Sequence, residues 1–383
     1  MRRIICLNQV ISPITIDILN EFSNREVEVE LYYGQSYKTY SDLSPKIITH
    51  KQNPYRRDSF FKRLLSWTKF FLRTFFRLFF KKKNYELFIV TNPPFNVFTG
   101  LILNKFFGVN YYLLIFDIYP DAIVQYKYLS AKNPLIRFWK YLMKKSLNRA
   151  KNIFTISEVM KDSLEKYNTN GREIHVIHNW VDNSQIKPLN KQENLFASEY
   201  SLTEKKVVLY SGNFGKTHDL ESIMEAARIL KENANIHFLI IGDGEKRKLI
   251  ARLKKEYSLE NVILLPFQSE EVFPYSMATG DLAIVSLGLE AESLSVPSKT
   301  YYMMAAGCAL IALASEESEL AGIVKKHQIG VVSKPGDPEL LARNILSILE
   351  DDIKLDLLKL KSREVSYLYS SENAKIYSSV IGL

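Results

Sequence analysis

The 383-residue chain has only two cysteines, Cys6 and Cys308, far apart and each inside an apolar run. They read as buried free thiols, which excludes a disulfide scaffold. Histidines are also few. His50, His175, His178, His218, His237 and His327 have no zinc-type arrangement, so no metal site is expected. No Gly-x-Ser-x-Gly elbow and no Cys/His nucleophile pair is evident. A secretory leader is not evident either: Met1-Arg2-Arg3 leads into a short apolar run ending at Asn8-Gln9, which reads as a first strand. An unbroken apolar span is lacking too. The greasiest tract, 59–80, is interrupted by Lys62, Arg63, Lys69, Arg73 and Arg77. Each would cost about 2.5–3.5 kcal/mol at the centre of a spanning helix. The expectation is a cytoplasmic protein with no transmembrane segment. No repeat with a period of about 20–50 residues is found.

Acidic residues are missing from one particular stretch. Lys and Arg number 51 against 42 Asp and Glu, a formal charge of +9. From Arg56 to Lys83 there are ten basic residues and one acid, Asp58. Outside those 28 residues the chain carries 41 of each sign. The excess is therefore local. Hydrophobic (46%) and charged (24%) fractions are those of an ordinary folded chain. At roughly 150 residues per domain, the length implies two or three domains.

Short apolar runs alternate with amphipathic stretches. Strands are predicted at Arg3–Val10, Val27–Tyr33, Leu87–Thr91, Tyr111–Phe116, Asn152–Ile156 and Ile174–Ile177. Helices are predicted at Ala131–Asn148 and Glu158–Tyr167. The polar stretch Asp182–Glu204 reads as a linker. The pattern restarts with strands at Val207–Tyr210, Ile236–Ile241, Val262–Leu265, Leu282–Val285, Ala309–Ala312 and Gly330–Val332. Helices are predicted at Asp219–Lys231, Glu245–Tyr257, Lys299–Ala306, Glu317–His327, Pro338–Leu349 and near Lys354–Tyr369. Apolar strands separated by helix-length segments imply an α/β fold, with parallel sheets covered on both faces. Ligands in such sheets bind outside the carboxyl ends of the strands.

Three glycine- or proline-punctuated turns could hold an anion. Tyr210-Ser211-Gly212-Asn213-Phe214-Gly215-Lys216-Thr217 follows a strand and precedes a helix. It misses the Walker A pattern because Tyr210 stands where that loop needs glycine. Its glycines still let backbone approach an anion that Lys216 could neutralise; the alternative is an ordinary strand–helix turn. Gly242-Asp243-Gly244-Glu245 is a truncated dinucleotide fingerprint, with Arg247 at the third glycine position, or simply a tight turn. Pro297-Ser298-Lys299 opens a helix whose first N–H groups and dipole favour a diphosphate. Glu290 and Glu292 lie in the otherwise uncharged loop before it, where the plain reading is two solvated loop acids.

Together these motifs resemble the donor-binding domain of the retaining glycosyltransferases of family 4. The stretches that carry the resemblance are LYSGNFGKTHDLESIMEAARIL, HFLIIGDGEKRKLI, NVILLPF, LSVPSKTYYMMAAGCALIA and GVVSKPGDPELLARNILSIL. VPSKTYYMMAAG looks like the branch containing the N-acetylfucosamine transferases of O-antigen and capsule pathways. In the first half TNPPF, IFDIYPDA, FTISEVM and VIHNWVD are similar to their counterparts there. The resemblance implies a GT-B fold: two facing Rossmann-like, doubly wound domains with an inter-domain cleft. It implies an acceptor-binding domain at 1–183, a linker at 184–203 and a donor-binding domain at 204–360. A C-terminal helix within 361–383 would return to the first domain.

The resemblance also implies roles. Gly212, Asn213, Gly215 and Gly242 would border the sugar diphosphate, and Lys216 would meet it. Pro297, Ser298 and Lys299 would close around it. Glu292, with Glu290 as fallback, would face the donor sugar. Tyr302 stands where the family has a ribose-binding glutamate, a departure that exchanges a two-oxygen acceptor for one phenol. Asp117 is the candidate contact for the reacting hydroxyl or donor sugar, or else a turn cap. The implied reaction moves a sugar, N-acetylated in that branch, from a nucleotide-diphosphate donor to a lipid-linked saccharide in bacterial surface polysaccharide synthesis. UDP is expected rather than GDP. Retention at the anomeric carbon is implied, with neither cofactor nor metal. The alternative, suggested by Tyr302, is a degraded relative that binds a nucleotide sugar or a partner without transfer.

The basic segment is the last feature. On a helical wheel Lys62, Ser66, Lys69, Arg73 and Arg77 span about 80°, and most other positions are apolar. A helix over 58–83 of this kind suits an anionic membrane surface, with Lys62, Lys69, Arg73 and Arg77 among lipid phosphates and Trp67, Phe71 and Phe75 below them. A core helix or a protein-binding face are the competing readings. Nucleic acid is disfavoured because no recognition motif accompanies the charge. The expected place is peripheral, on the inner face of the cell membrane.

Overall fold

The computed structural model describes residues 2–36, 42–56, 60–125, 127–167, 171–287 and 297–383. The chain divides into two compact units, Met1–His178 with Ser371–Leu383, and Asn179–Ser370.

The first unit is built on seven parallel strands: β1 (Arg2–Leu7), β2 (Val27–Tyr33), β3 (Ile48–Lys51), β4 (Glu86–Val90), β5 (Tyr111–Ile115), β6 (Asn152–Thr155) and β7 (Ile174–Val176). Their order is β3-β2-β1-β4-β5-β6-β7, so the winding reverses between β1 and β4. Ile4, Ile5, Cys6 and Leu7 are fully buried in the central strand. α1 (Pro13–Asn24) starts on the Ser12 cap with Pro13 in its first turn. The C-terminal helix Ala374–Ile381 lies beside α1, where Phe88 meets the rings of Phe22 and Tyr377 edge-on. α2 (Phe60–Phe80), α3 (Asn96–Phe107) and α4 (Pro134–Arg149) belong to the crossovers from β3 to β4, β4 to β5 and β5 to β6, which progress the other way across the sheet, so right-handedness places them on its opposite face. α3 touches both α2 and α4.

The second unit repeats the scheme. β8 (Lys206–Ser211), β9 (Ile236–Ile241), β10 (Val262–Leu265), β11 (Leu282–Ser286), β12 (Ala309–Leu313) and β13 (Gly330–Ser333) order as β10-β9-β8-β11-β12-β13, all parallel. α5 (Leu220–Ile229) covers β8 with Ile223, Met224, Ala226 and Ala227. α6 (Lys299–Ala305) precedes β12. The reversal here falls between β8 and β11.

Three readings change. The first strand ends at Leu7, and Asn8 and Gln9 turn inward, 1% and 0% exposed. The stretch 184–203, read as a linker, is packed against the second unit. Buried Asn194 caps a short helix, Leu195–Glu199, and donates to Tyr275 and Thr279, while Lys191 pairs with buried Asp281. Helix Asp352–Ser366 stays with the second unit, and only Ser371–Leu383 groups with the first.

Candidate functional site

The loop after β8 is folded around a lysine. Lys299 Nζ donates to the Tyr210 hydroxyl at 3.1 Å and lies 4.4 Å from the centre of that ring. Tyr210 is itself buried and donates to the Asn213 carbonyl at 2.9 Å. Gly212 has φ +156°, and a Cβ there would sit 2.8 Å from Lys299 Nζ. Glycine at 212 therefore makes the space the ammonium fills. Gly242, at φ +153°, is held as tightly: its Cβ would lie 1.9 Å from the Gly212 carbonyl. Backbone bonds from Gly212 to Ile241 and from Phe214 to Asp243 lock the two glycine turns together.

Beside Lys299 is a cavity of about 160 Å³, lined by Ser211, Gly212, Ile241, Phe267, Gln268, Phe273, Met277, Ser298, Lys299 and Tyr302. Tyr302 meets Phe273 edge-on at 5.4 Å. The walls are largely apolar and aromatic, Lys299 is the one cation among these lining residues, and none of them is acidic. Such a space accepts a flat ring attached to an anion. Lys299 is only partly enclosed, yet desolvation moves its ammonium down, to about 7. His218, on the same loop, is lowered to about 4, first by burial and then by the Lys299 charge. A neutral His218 Nδ1–H donates to the Ser286 carbonyl at 2.8 Å. The Asp219 N–H donates to Ser286 Oγ, also at 2.8 Å. These bonds tie the β8 loop to the end of β11, across the winding reversal.

In the first unit Asp117 follows β5 at the carboxyl end of the sheet. The Phe116 N–H donates to Thr91 Oγ1 at 3.2 Å, which fixes this turn to the 91–95 loop. Asp117 keeps solvent access, and the surrounding protein moves its carboxyl up, to about 6. Tyr55, Trp67 and Tyr119 form ring contacts next to it.

α2 turns Ser66, Trp67, Phe70, Thr74 and Leu78 inward. Trp67, expected at a membrane, is 4% exposed and packs on Tyr119 and Phe95. Phe71 and Phe75 are half-buried and stack on each other. The open face carries Lys62, Lys69, Arg73 and Arg77 beside Phe61, Leu65, Leu72, Phe76 and Phe80. Lys69, Arg73 and Arg77 have no acidic partner among the described residues. The lysines after α2 are used differently. Lys81 pairs at 2.8 Å with buried Glu30 of β2, and Lys83 donates to the last carbonyls of the helix. The acid that the segment itself lacks is supplied by a neighbouring strand. Among the described residues no helix is long and apolar enough to cross a membrane.

Comparison with known proteins follows this division of the chain. Residues 14–185 match the family described as Glycosyltransferase Family 4, and residues 191–365 match Glycosyl transferases group 1. Two solved structures superpose over all of this chain and all of theirs. They are Anabaena HepE in complex with UDP and glucose (TM-score 0.74, 15% identity) and WaaG, a glycosyltransferase involved in lipopolysaccharide biosynthesis (TM-score 0.72, 14% identity). The chain has the GT-B fold, and each of its two halves matches a glycosyltransferase family model. A curated relative, "Probable glycosyltransferase WbjE" of Pseudomonas aeruginosa, is 27% identical over 270 residues. That match covers 69% of this chain and 66% of the relative, just under two thirds of its length.

Within this GT-B chain, Ser298, Lys299, Gly212 and Tyr302 come together at one cavity. Pro297 immediately precedes that cluster. Lys216 does not line the cavity. Its side chain is 83% exposed and lies 3.5 Å from Glu245. Asn213 braces the turns, its amide lying against Gly215 and Gly244 rather than lining the cavity. Glu290 and Glu292 fall outside the described residues. Sequence reasoning missed Tyr210, His218, Phe267, Phe273 and Met277. Phe267 follows β10, a strand end of the kind that carries ligand contacts, and that position was its one available signal.

Proposed function

We propose that this chain transfers a sugar from a nucleotide-diphosphate donor to a lipid-linked saccharide during bacterial surface polysaccharide synthesis. The observation that carries the proposal is the Lys299 ammonium held over Tyr210 in the lining of an apolar, aromatic cavity. Lys299 would offset the charge of the departing diphosphate. The aromatic walls and Tyr302 would hold the nucleoside, and Glu292, or Glu290, would face the sugar. Asp117 is assigned to the acceptor hydroxyl or the donor sugar. UDP is the favoured nucleotide, in keeping with the UDP bound by HepE. Retention at the anomeric carbon, metal independence and an N-acetylated sugar belong to the same reading. So does a peripheral position on the inner face of the membrane, supported by the open face of α2.

The test is transfer or donor hydrolysis with a panel of UDP- and GDP-sugars, with the product anomer followed by NMR. UDP-sugar turnover with retention is expected; turnover of none, or inversion, would overturn the reading. Tyr302 favours a second reading, in which the site binds a nucleotide sugar without transferring it. A tight, unhydrolysed UDP-sugar complex would establish that outcome.

A further inference from the structure

A second surface of the first unit has the same build as the open face of α2. From Ala122 to Ser157 there are eight basic residues and no acidic one. α4 lies inside this stretch. Its inner face, Ile136, Met143 and Leu147, is buried. On its outer face Leu135 is 71% exposed, Phe138 60% and Tyr141 55%. Arg137, Lys144 and Lys145 are exposed on the same side. None of the three has an acidic partner among the described residues, and Lys145 lies over the Tyr141 ring at 5.5 Å. A large apolar patch rimmed by one sign of charge marks an interaction site.

We propose that α4 is a second membrane-binding element, docking on anionic lipid headgroups together with α2. The proposal rests on the membrane reading of α2 given above and extends it to a different helix. Three observations choose this occupant. The patch is cationic without any acid, so two copies of it would repel each other. Leucine and phenylalanine beside lysine and arginine match the interfacial layer, where rings enter the acyl boundary and amines remain at the phosphates. The third is position. α2 and α4 flank α3 on one face of the sheet, and both start at its strand-carboxyl end, as helices leaving parallel strands must. Tyr119, two residues from Asp117, packs between Trp67 of α2 and Trp139 of α4, at 5.4 and 6.1 Å. A bilayer bound along both helices brings a lipid-borne hydroxyl to the end of the sheet that carries Asp117.

Vesicle flotation of the full chain tests this. The vesicles are phosphatidylcholine alone, or equal parts phosphatidylcholine and phosphatidylglycerol. The proteins are the unaltered chain, Arg73→Glu/Arg77→Glu, Leu135→Ser/Phe138→Ser, and Arg137→Glu/Lys144→Glu. All changed side chains are exposed, and circular dichroism checks folding. The unaltered chain should bind the anionic vesicles, and each double variant should bind them about tenfold more weakly. If the unaltered chain does not bind, the membrane reading of α2 falls and this inference falls with it. If it binds and the α2 variant weakens while both α4 variants bind as before, only this inference is overturned. Light scattering that shows a dimer dissociated by the Leu135/Phe138 variant would assign the face to a second copy and overturn it as well.

Discussion

Lys299 shows what one residue can do when its surroundings are shaped for it. In the sequence it is the third residue of a Pro-Ser-Lys turn, and that position was the reason to expect it near an anion. What could not be read was the support: the buried Tyr210 ring beneath it and the two interlocked glycine turns. The contact between Lys299 and Tyr210 joins residues 89 apart. Lys216, the lysine beside two glycines, has its side chain 83% exposed and 3.5 Å from Glu245, a contact that its place in the sequence does not reveal. The lowered ammonium gives a testable sign. A free site with Lys299 near 7 is cationic below that pH and loses its charge above it. UDP binding by the unaltered protein should therefore weaken by roughly tenfold per pH unit above about 7.5, where UDP itself no longer gains charge. Lys299→Arg keeps its charge and should bind UDP with a flat profile over the same interval, measured by calorimetry. A flat profile for the unaltered protein would remove Lys299 from the diphosphate.

At the scale of elements, legibility followed periodicity. Buried parallel strands are near-continuous apolar runs and stood out in the sequence. The edge strand β3, Ile48-Thr49-His50-Lys51, is mostly exposed and polar, so it carried no such run. α3 went unseen because it is apolar on all sides and lacks a one-sided stripe. α2 was legible as a helix, but its inward side was not. Its cations and rings implied a face toward lipid, whereas Trp67, Phe70 and Leu78 are core. The difference has an energetic consequence. Phe70→Ala removes a fully buried ring and should destabilise the first unit by about 3–5 kcal/mol. Phe76→Ala, half-exposed on the open face, should cost under about 1 kcal/mol. Urea unfolding of the two variants checks this, and equal losses would mean that α2 does not lie on the sheet as described.

For the whole molecule, the useful quantity is where the charge lies rather than its total. The stretch that supplies α2 carries the whole net excess of +9, and the stretch that supplies α4 adds eight basic residues balanced by acids elsewhere in the chain; both helices lie on a single face of the sheet. The cavity of the second unit has a single cation, Lys299, that is partly enclosed. Salt should therefore act unequally on the two kinds of binding proposed above. Exposed charges are screened over about 10 Å at 0.1 M salt and about 3 Å at 1 M. Binding to phosphatidylglycerol vesicles should fall by at least about tenfold across that range, leaving a residual part from Phe76, Phe80, Leu135 and Phe138. UDP affinity should fall much less, because an enclosed pair is screened less. Flotation and calorimetry at matched salt concentrations give both numbers. Vesicle binding that is indifferent to salt would mean that the basic residues do not face the lipid, and that the exposed rings alone account for the attachment.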